Sequence, residues 1–105
     1  MEVAWNNWAM FRFGQLLGCE FVEESQERAA AIGRLFSSED RRLTLREQEA
    51  IAALICAGIE CADRKAKRIS TITLENCFGL TELLPKVLEA FIEAQPKAQG
   101  EAEGK

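Results

Sequence analysis

Residues 44–68 read TLREQEAIAALICAGIECADRKAKR and are predicted to form a long helix that the other segments cover. The segment begins with a capping box, because Thr44 and Glu47 stand three residues apart just before an apolar run. The threonine hydroxyl of such a box accepts from the amide of the glutamate, whose carboxylate accepts from the amide of the threonine. Large apolar residues then recur at helical spacing on one face: Ile51, Leu54, Ile55, Ile59 and Ala62. A face this long has to be buried, so we expect a central helix.

Gly58 lies inside this predicted helix, where glycine costs roughly 1 kcal/mol relative to alanine. The residues on the other face are small: Ala50, Ala53, Ala57 and Cys61. Gly58 is therefore either a point where another element packs closely or a break between two shorter helices. Because the large apolar face continues past Gly58 without a change of spacing, we predict a continuous helix.

Four basic residues crowd the end of the segment: Arg64, Lys65, Lys67 and Arg68. One interpretation is that they offset the partial negative charge of the last helical carbonyl groups. The other is that they contact an anion or a nucleic acid.

Val3 to Leu17 is predicted to form the first helix, and its one formal charge is Arg12. Apolar residues fall on two sides of this helix, whereas a surface helix needs only one apolar face. One side would face the core, and the other would need a second helix or a second molecule. We expect Trp5, Trp8 and Phe11 to be the partner-binding residues, since aromatic side chains often anchor protein interfaces. The alternative is that both sides are buried within the monomer.

The remaining segments predict three further helices and a tail. Residues 20–36 form an amphipathic helix whose apolar face includes Phe21 and Val22, and residues 37–43 form a polar loop. A short helix runs from Thr73 to Gly79, and the last helix spans 81–94 with Pro85 in its first turn. Residues 95–105 (QPKAQGEAEGK) have the composition of a disordered acidic tail. The predicted fold is therefore all-α, a single domain over 1–94 in which four main helices form a bundle around the central helix 44–68.

The composition argues against several classes of function. The chain of 105 residues has four cysteines, no histidine and a net charge of −4. Without histidine the commonest general base is missing, so we expect no enzyme, no cofactor, no metal site and no small-molecule substrate. The cysteines fit reduced thiols of a cytoplasmic protein. The apolar N-terminal segment has no positively charged start, so we expect no signal peptide, and since no uncharged apolar run is long enough to cross a membrane, we expect no membrane association.

Residues 43–77 resemble the helix-turn-helix domain of the LuxR/GerE type. The run LTLREQEAIAALICAG resembles the opening helix of that family, and Ile69-Ser70-x-x-Thr73-Leu74 resembles the start of its recognition helix. The resemblance implies that Glu47 and Ile51 belong to a scaffold helix and that residues 71–76 face DNA. Residues 70–85 contain two glutamates and no basic residue, which disfavours nucleic-acid binding there.

We therefore predict a small helical regulatory protein that acts by protein–protein binding. The specific hypothesis is an antiactivator or adaptor of a bacterial transcription regulator that forms a homodimer through its apolar N-terminal helix. Two alternatives stay open: a divergent helix-turn-helix transcription regulator that binds DNA, and a structural or assembly subunit.

Overall fold

A computed structural model describes residues 1–37 and 43–94 of the chain. Within these residues the protein is helical and has no strand, so the all-α prediction is confirmed. The elements are α1 (Asn7–Leu17), α2 (Val22–Ser37), α3 (Leu45–Lys65), α4 (Leu74–Cys77), a 3-10 turn (Thr81–Leu83) and α5 (Leu84–Glu93). The predicted tail 95–105 and residues 38–42 of the predicted polar loop lie outside the described residues. No helix within the described ranges is long and apolar enough to cross a membrane.

Helix α3 is the centre of the bundle, as the sequence predicts. Every residue from Ala50 to Ile59 is buried, and so is Cys61, so the small residues of the second face are buried as well. The capping box is present, because the Glu47 amide donates to Thr44 Oγ1 (3.1 Å) and the Thr44 amide donates to Glu47 Oε1 (2.8 Å). The helix ends at Lys65 rather than at Arg68.

The helix passes through Gly58 without a break, and the structure shows why a glycine stands there. A Cβ atom at this position would lie 3.2 Å and 3.3 Å from the two methyl groups of Val87 in α5. The Gly58 carbonyl also accepts a hydrogen bond from the Ala4 amide (3.0 Å), and this bond holds the N-terminal segment against α3. Gly58 is thus the close-packing point of the continuous helix.

The first helix begins later than predicted, at Asn7 instead of Val3. The Asn6 side chain caps it by accepting from the Ala9 amide (3.1 Å), so the preceding residues lie outside the helix. The helix ends at Leu17, as predicted, and Gly18 follows it in the left-handed conformation (φ 73°). The helix buries Ala9, Met10, Phe13 and Gly14 against the rest of the bundle.

The second helix also begins later than predicted, at Val22 instead of Glu20. The Glu24 carboxylate accepts from the amides of Glu20 (2.8 Å) and Phe21 (3.1 Å), which fixes the helix start. As a consequence Phe21 and Val22 are exposed, and their predicted place on the buried face is wrong. The buried face of α2 includes Ala29 and Ile32, as the helical spacing predicts, and also the polar residue Ser25.

The short helix α4 agrees with the sequence prediction, whereas the predicted last helix 81–94 consists of the 3-10 turn Thr81–Leu83 followed by α5. Thr73 caps α4, since its hydroxyl accepts from the Asn76 amide (3.2 Å), and α4 is followed by Gly79. Pro85 lies in the first turn of α5, where its missing amide costs no helical hydrogen bond. Helix α5 then packs Leu84, Val87, Leu88 and Phe91 against the core.

Candidate interaction surface

Trp5 belongs to the core of the monomer and not to the surface. It is 8% exposed and makes edge-to-face contacts with Phe13 (ring centroids 6.2 Å apart) and Phe91 (5.7 Å). These contacts join the N-terminal segment, α1 and α5. The structure therefore removes Trp5 from the candidate partner-binding residues.

Trp8 lies half-buried at the seam between α1 and α3. The guanidinium carbon of Arg64 stands 4.4 Å from the centroid of its ring. A cation–π contact at such a partly exposed site contributes about 0.5–1 kcal/mol. One of the four predicted anion-binding residues is therefore engaged with one of the predicted partner-binding residues.

Phe11 occupies the middle of the solvent-facing side of α1. The three exposed residues of this helix are Asn7, Phe11 and Gln15, which follow each other at intervals of four and so lie in one row. We call this row the α1 strip. The Phe11 side chain is 54% exposed, and its two neighbours in the strip carry amide groups without charge.

The charge that borders the α1 strip is neutralised by α3. Arg12 is the one formal charge of α1, and its Nε donates to Glu60 Oε1 at 2.7 Å. This hydrogen bond raises the pKa of Arg12 above its ordinary value, with burial opposing it. The strip is therefore an uncharged, partly aromatic surface on a chain in which 29% of the residues are charged.

The four residues of the basic cluster do not form one free patch. Arg68 binds Asp63 (3.1 Å) and Glu2 (3.4 Å), and Arg64 lies over Trp8. Lys65 and Lys67 are exposed and form no ion pair with any residue that the structure describes. Two of the four cations thus have partners within the monomer, which leaves less positive charge available to a phosphate.

The residues that the family resemblance assigns to a recognition helix adopt a different arrangement. Between Thr71 and Asn76 the described structure has a segment without regular secondary structure followed by the start of α4, which is only four residues long. The scaffold part, with Glu47 and Ile51, lies in the 21-residue helix α3. A helix long enough to lie in a major groove is therefore absent from residues 66–80.

The cysteines are arranged as packing residues. Cys56, Cys61 and Cys77 are at most 1% exposed, and burial raises the pKa of the Cys56 thiol to about 12, with the adjacent Cys77 adding to the effect. Burial also raises the pKa of Cys61, although Lys65 and Arg64 oppose this shift. A nucleophilic cysteine needs exposure and a lowered pKa, and Cys61, which stands near two cations, has neither.

An open cleft of about 650 Å³ lies between the C-terminal half of α3 and residues 68–72. Of the three charged side chains that line it, Arg68 forms ion pairs with both Glu2 and Asp63. In the residues that the structure describes, no group of three acidic or cysteine side chains is placed to bind a metal ion. The α1 strip is therefore the better candidate for a functional surface.

Two of the residues that define this surface were missed by the sequence prediction. Asn7 and Gln15 stand four residues on either side of Phe11, and this spacing is visible in the sequence as an uncharged helical row. The pairing of Arg12 with Glu60 has no comparable signal, because the two residues are 48 positions apart.

No family model, no curated protein and no solved structure matches this chain. Its function is therefore inferred from its own residues.

Proposed function

We propose that this chain is a protein-interaction domain that binds a partner through the α1 strip and the adjoining Trp8. The observation that carries the proposal is the exposure of Phe11 in the middle of an uncharged row on α1. Interface centres are depleted in charged residues and enriched in aromatic residues and arginine. The strip with its neighbours Trp8 and Arg64 has this composition.

The energetics favour the same assignment. Covering apolar surface contributes about 25 cal/mol for each Å² removed from water. Phe11 has more than half of its side chain available for such covering. Trp8 and Arg12 are already held in place by α3, so little side-chain entropy is lost when a partner binds. The surface is thus preorganised for binding.

Within this class, the proposal that we favour is a regulator that occupies the surface of another protein, namely an antiactivator or adaptor of a bacterial transcription regulator in the cytoplasm. A small acidic domain whose binding surface is a single helix face suits this role, because it can cover a partner without performing chemistry. A structural or assembly subunit would use the same strip, and it differs by forming a permanent complex of fixed stoichiometry.

The test compares three forms of the full chain: wild type, the double variant Trp8→Ala with Phe11→Ala, and the control Phe78→Ala. Phe78 is 49% exposed and lies outside α1, so the control removes a similar exposed ring from another face. Proteins that bind to each form in a pull-down would be identified by mass spectrometry and purified. Their affinity for each form would then be measured by isothermal titration calorimetry.

The expected result is a partner that binds wild type and Phe78→Ala alike and binds the double variant at least about 10-fold more weakly, the usual effect of removing an interface anchor. Circular dichroism has to show that the double variant is folded. Equal binding by all three forms, or no binding of a purified partner and no self-association by wild type, would overturn the proposal.

A further inference from the structure

The α1 strip is symmetric in its chemistry about Phe11. Asn7 lies four residues before Phe11 and Gln15 lies four residues after it. Each of these two side chains ends in a primary amide, which has both donors and an acceptor. A surface with an amide donor in one half and an amide acceptor in the other can bind a copy of itself in the antiparallel orientation.

We propose that the strip is covered by a second copy of this chain, with the two α1 helices antiparallel and both Phe11 rings at the two-fold axis. This inference rests on the proposed function of the α1 strip as a protein-binding surface. An interface with two-fold symmetry is made by the same patch on both copies, so residue 7 of one contacts residue 15 of the other and the reverse.

Within the monomer Gln15 Oε1 accepts a hydrogen bond from Arg12 Nη1 (3.4 Å). In the antiparallel register Asn7 of each copy lies opposite Gln15 of the other, so the Gln15 NH2 group can donate to Asn7 Oδ1 when water is excluded. The two Phe11 rings cover one another at the centre. Dimer formation desolvates no unpaired charge of α1, because Arg12, the one charged residue of this helix, is already bound to Glu60 at 2.7 Å.

The helix dipole favours the antiparallel over the parallel arrangement. Helix α1 has no acidic residue in its first turn and no basic residue in its last turn, so no charged side chain of its own offsets the partial charges at its ends. An antiparallel neighbour brings a negative helix end beside each positive one. A parallel neighbour would place like ends together.

Cysteine cross-linking tests both the partner and the register. In a full chain carrying Cys19→Ser, single variants Asn7→Cys and Gln15→Cys would be oxidised with diamide, each alone and as an equal mixture. The other native cysteines are buried and stay in place. Residues 7 and 15 are roughly 12 Å apart along the helix, so only thiols at the same level can form a disulfide.

In the antiparallel dimer, the mixture cross-links at least about 10-fold faster than either variant alone, because the two thiols are held at high effective concentration. Adding Phe11→Glu places two like charges at the axis and should abolish this difference. Fast cross-linking of each variant with itself would show a parallel register and overturn the inference. A monomer in sedimentation velocity at high micromolar concentration, with no cross-linking, would also overturn it. The proposed function does not depend on that second outcome. It stands if a purified protein of different sequence binds this chain and its binding requires Trp8 and Phe11.

Discussion

Arg68 binds Asp63 through both its backbone and its side chain. The Arg68 amide donates to the Asp63 carbonyl (2.8 Å), and its guanidinium donates to Asp63 Oδ1 (3.1 Å). The Lys67 amide donates to the Arg64 carbonyl (3.0 Å), and Lys67 has φ 61°. These bonds form a Schellman motif that ends α3 and satisfies its last carbonyl groups. The ion pair takes the place of the hydrophobic contact that usually accompanies the motif.

Replacing Lys67 by glycine is expected to stabilise the protein. A side chain with a Cβ atom pays about 1 kcal/mol or more to adopt the left-handed conformation, which glycine adopts freely. The greater freedom of glycine in the unfolded chain cancels part of this gain, so the expected net increase in the free energy of unfolding is about 0.5–1 kcal/mol. Urea unfolding followed by circular dichroism measures it.

The matched control is Lys67→Ala, which removes the same charge and keeps the Cβ atom. It should leave the free energy of unfolding nearly unchanged. An equal gain from alanine and glycine would show that the lysine charge, and not the backbone conformation, is responsible.

Thiol labelling is expected to separate Cys19 from the other three cysteines. Cys19 is half-buried in the turn after α1, whereas Cys56, Cys61 and Cys77 are fully enclosed. The thiolate is the reactive form, and burial raises the pKa of all three enclosed thiols, of Cys56 to about 12. Mass spectrometry after iodoacetamide treatment at pH 8 should show one modified cysteine in the folded chain and four in urea.

A Cys19→Ser variant should therefore resist labelling until it unfolds. Rapid labelling of Cys56 or Cys77 in folded protein would mean that α4 opens readily from α3.

The parts of the fold that the sequence predicted are those with local signals. The capping box at Thr44, the glycine at 18 and the proline at 85 each act through hydrogen bonds or dihedral angles of neighbouring residues. The predicted start of α1 was wrong because the residues from Val3 to Trp5 are apolar and extend the helical pattern of the sequence. These residues are buried or half-buried by contact with α3 and α5, which a local pattern does not contain.

The candidate surface was only partly predictable for the same reason. The exposure of Phe11 follows from its place opposite Phe13 on a helix. The burial of Trp5 and the stacking of Arg64 on Trp8 depend on where α3 and α5 meet the N-terminal segment. Such contacts join residues far apart in the chain, so they had no signal in the sequence.

Protonation of Glu24 is expected to weaken the start of α2 in acid. The hydrogen bonds from the Phe21 and Glu20 amides lower the pKa of Glu24 below its ordinary value. A carboxylate whose folded pKa is lowered contributes stability above its unfolded pKa of about 4.3, and this contribution is lost as pH falls through the folded pKa. Wild type should therefore lose more stability between pH 7 and pH 3 than Glu24→Gln does.

Urea unfolding at both pH values measures the difference, and NMR titration of the Glu24 carboxyl group measures the pKa directly. The control is Glu23→Gln, an exposed neighbour in the same turn for which no such capping bonds occur. Identical pH dependence in the two glutamine variants would contradict a capping role for Glu24.

Two helical glycines are expected to respond in opposite directions to alanine. At Gly33 in α2 a Cβ atom would meet, among the residues that the structure describes, no atom within 4 Å apart from the neighbouring backbone of its own helix, so Gly33→Ala should raise the free energy of unfolding by about 0.5–1 kcal/mol. At Gly58 the Cβ atom would press on the methyl groups of Val87, a fully buried and rotationally stiff side chain. Overpacking of a core costs roughly 1–3 kcal/mol. Alanine gains about 1 kcal/mol over glycine in helix propensity, so the overpacking cost is the larger of the two effects in most cases.

Gly58→Ala should therefore lower the free energy of unfolding, by up to about 2 kcal/mol. The same substitution in a Val87→Ala background separates the two effects, because the shortened side chain no longer meets the added methyl group. In that background Gly58→Ala should be neutral or stabilising, and the double-mutant cycle measured by urea unfolding gives the interaction between the two positions. If Gly58→Ala stabilises the wild-type background as much as Gly33→Ala does, then α3 and α5 are not held in close contact at Gly58.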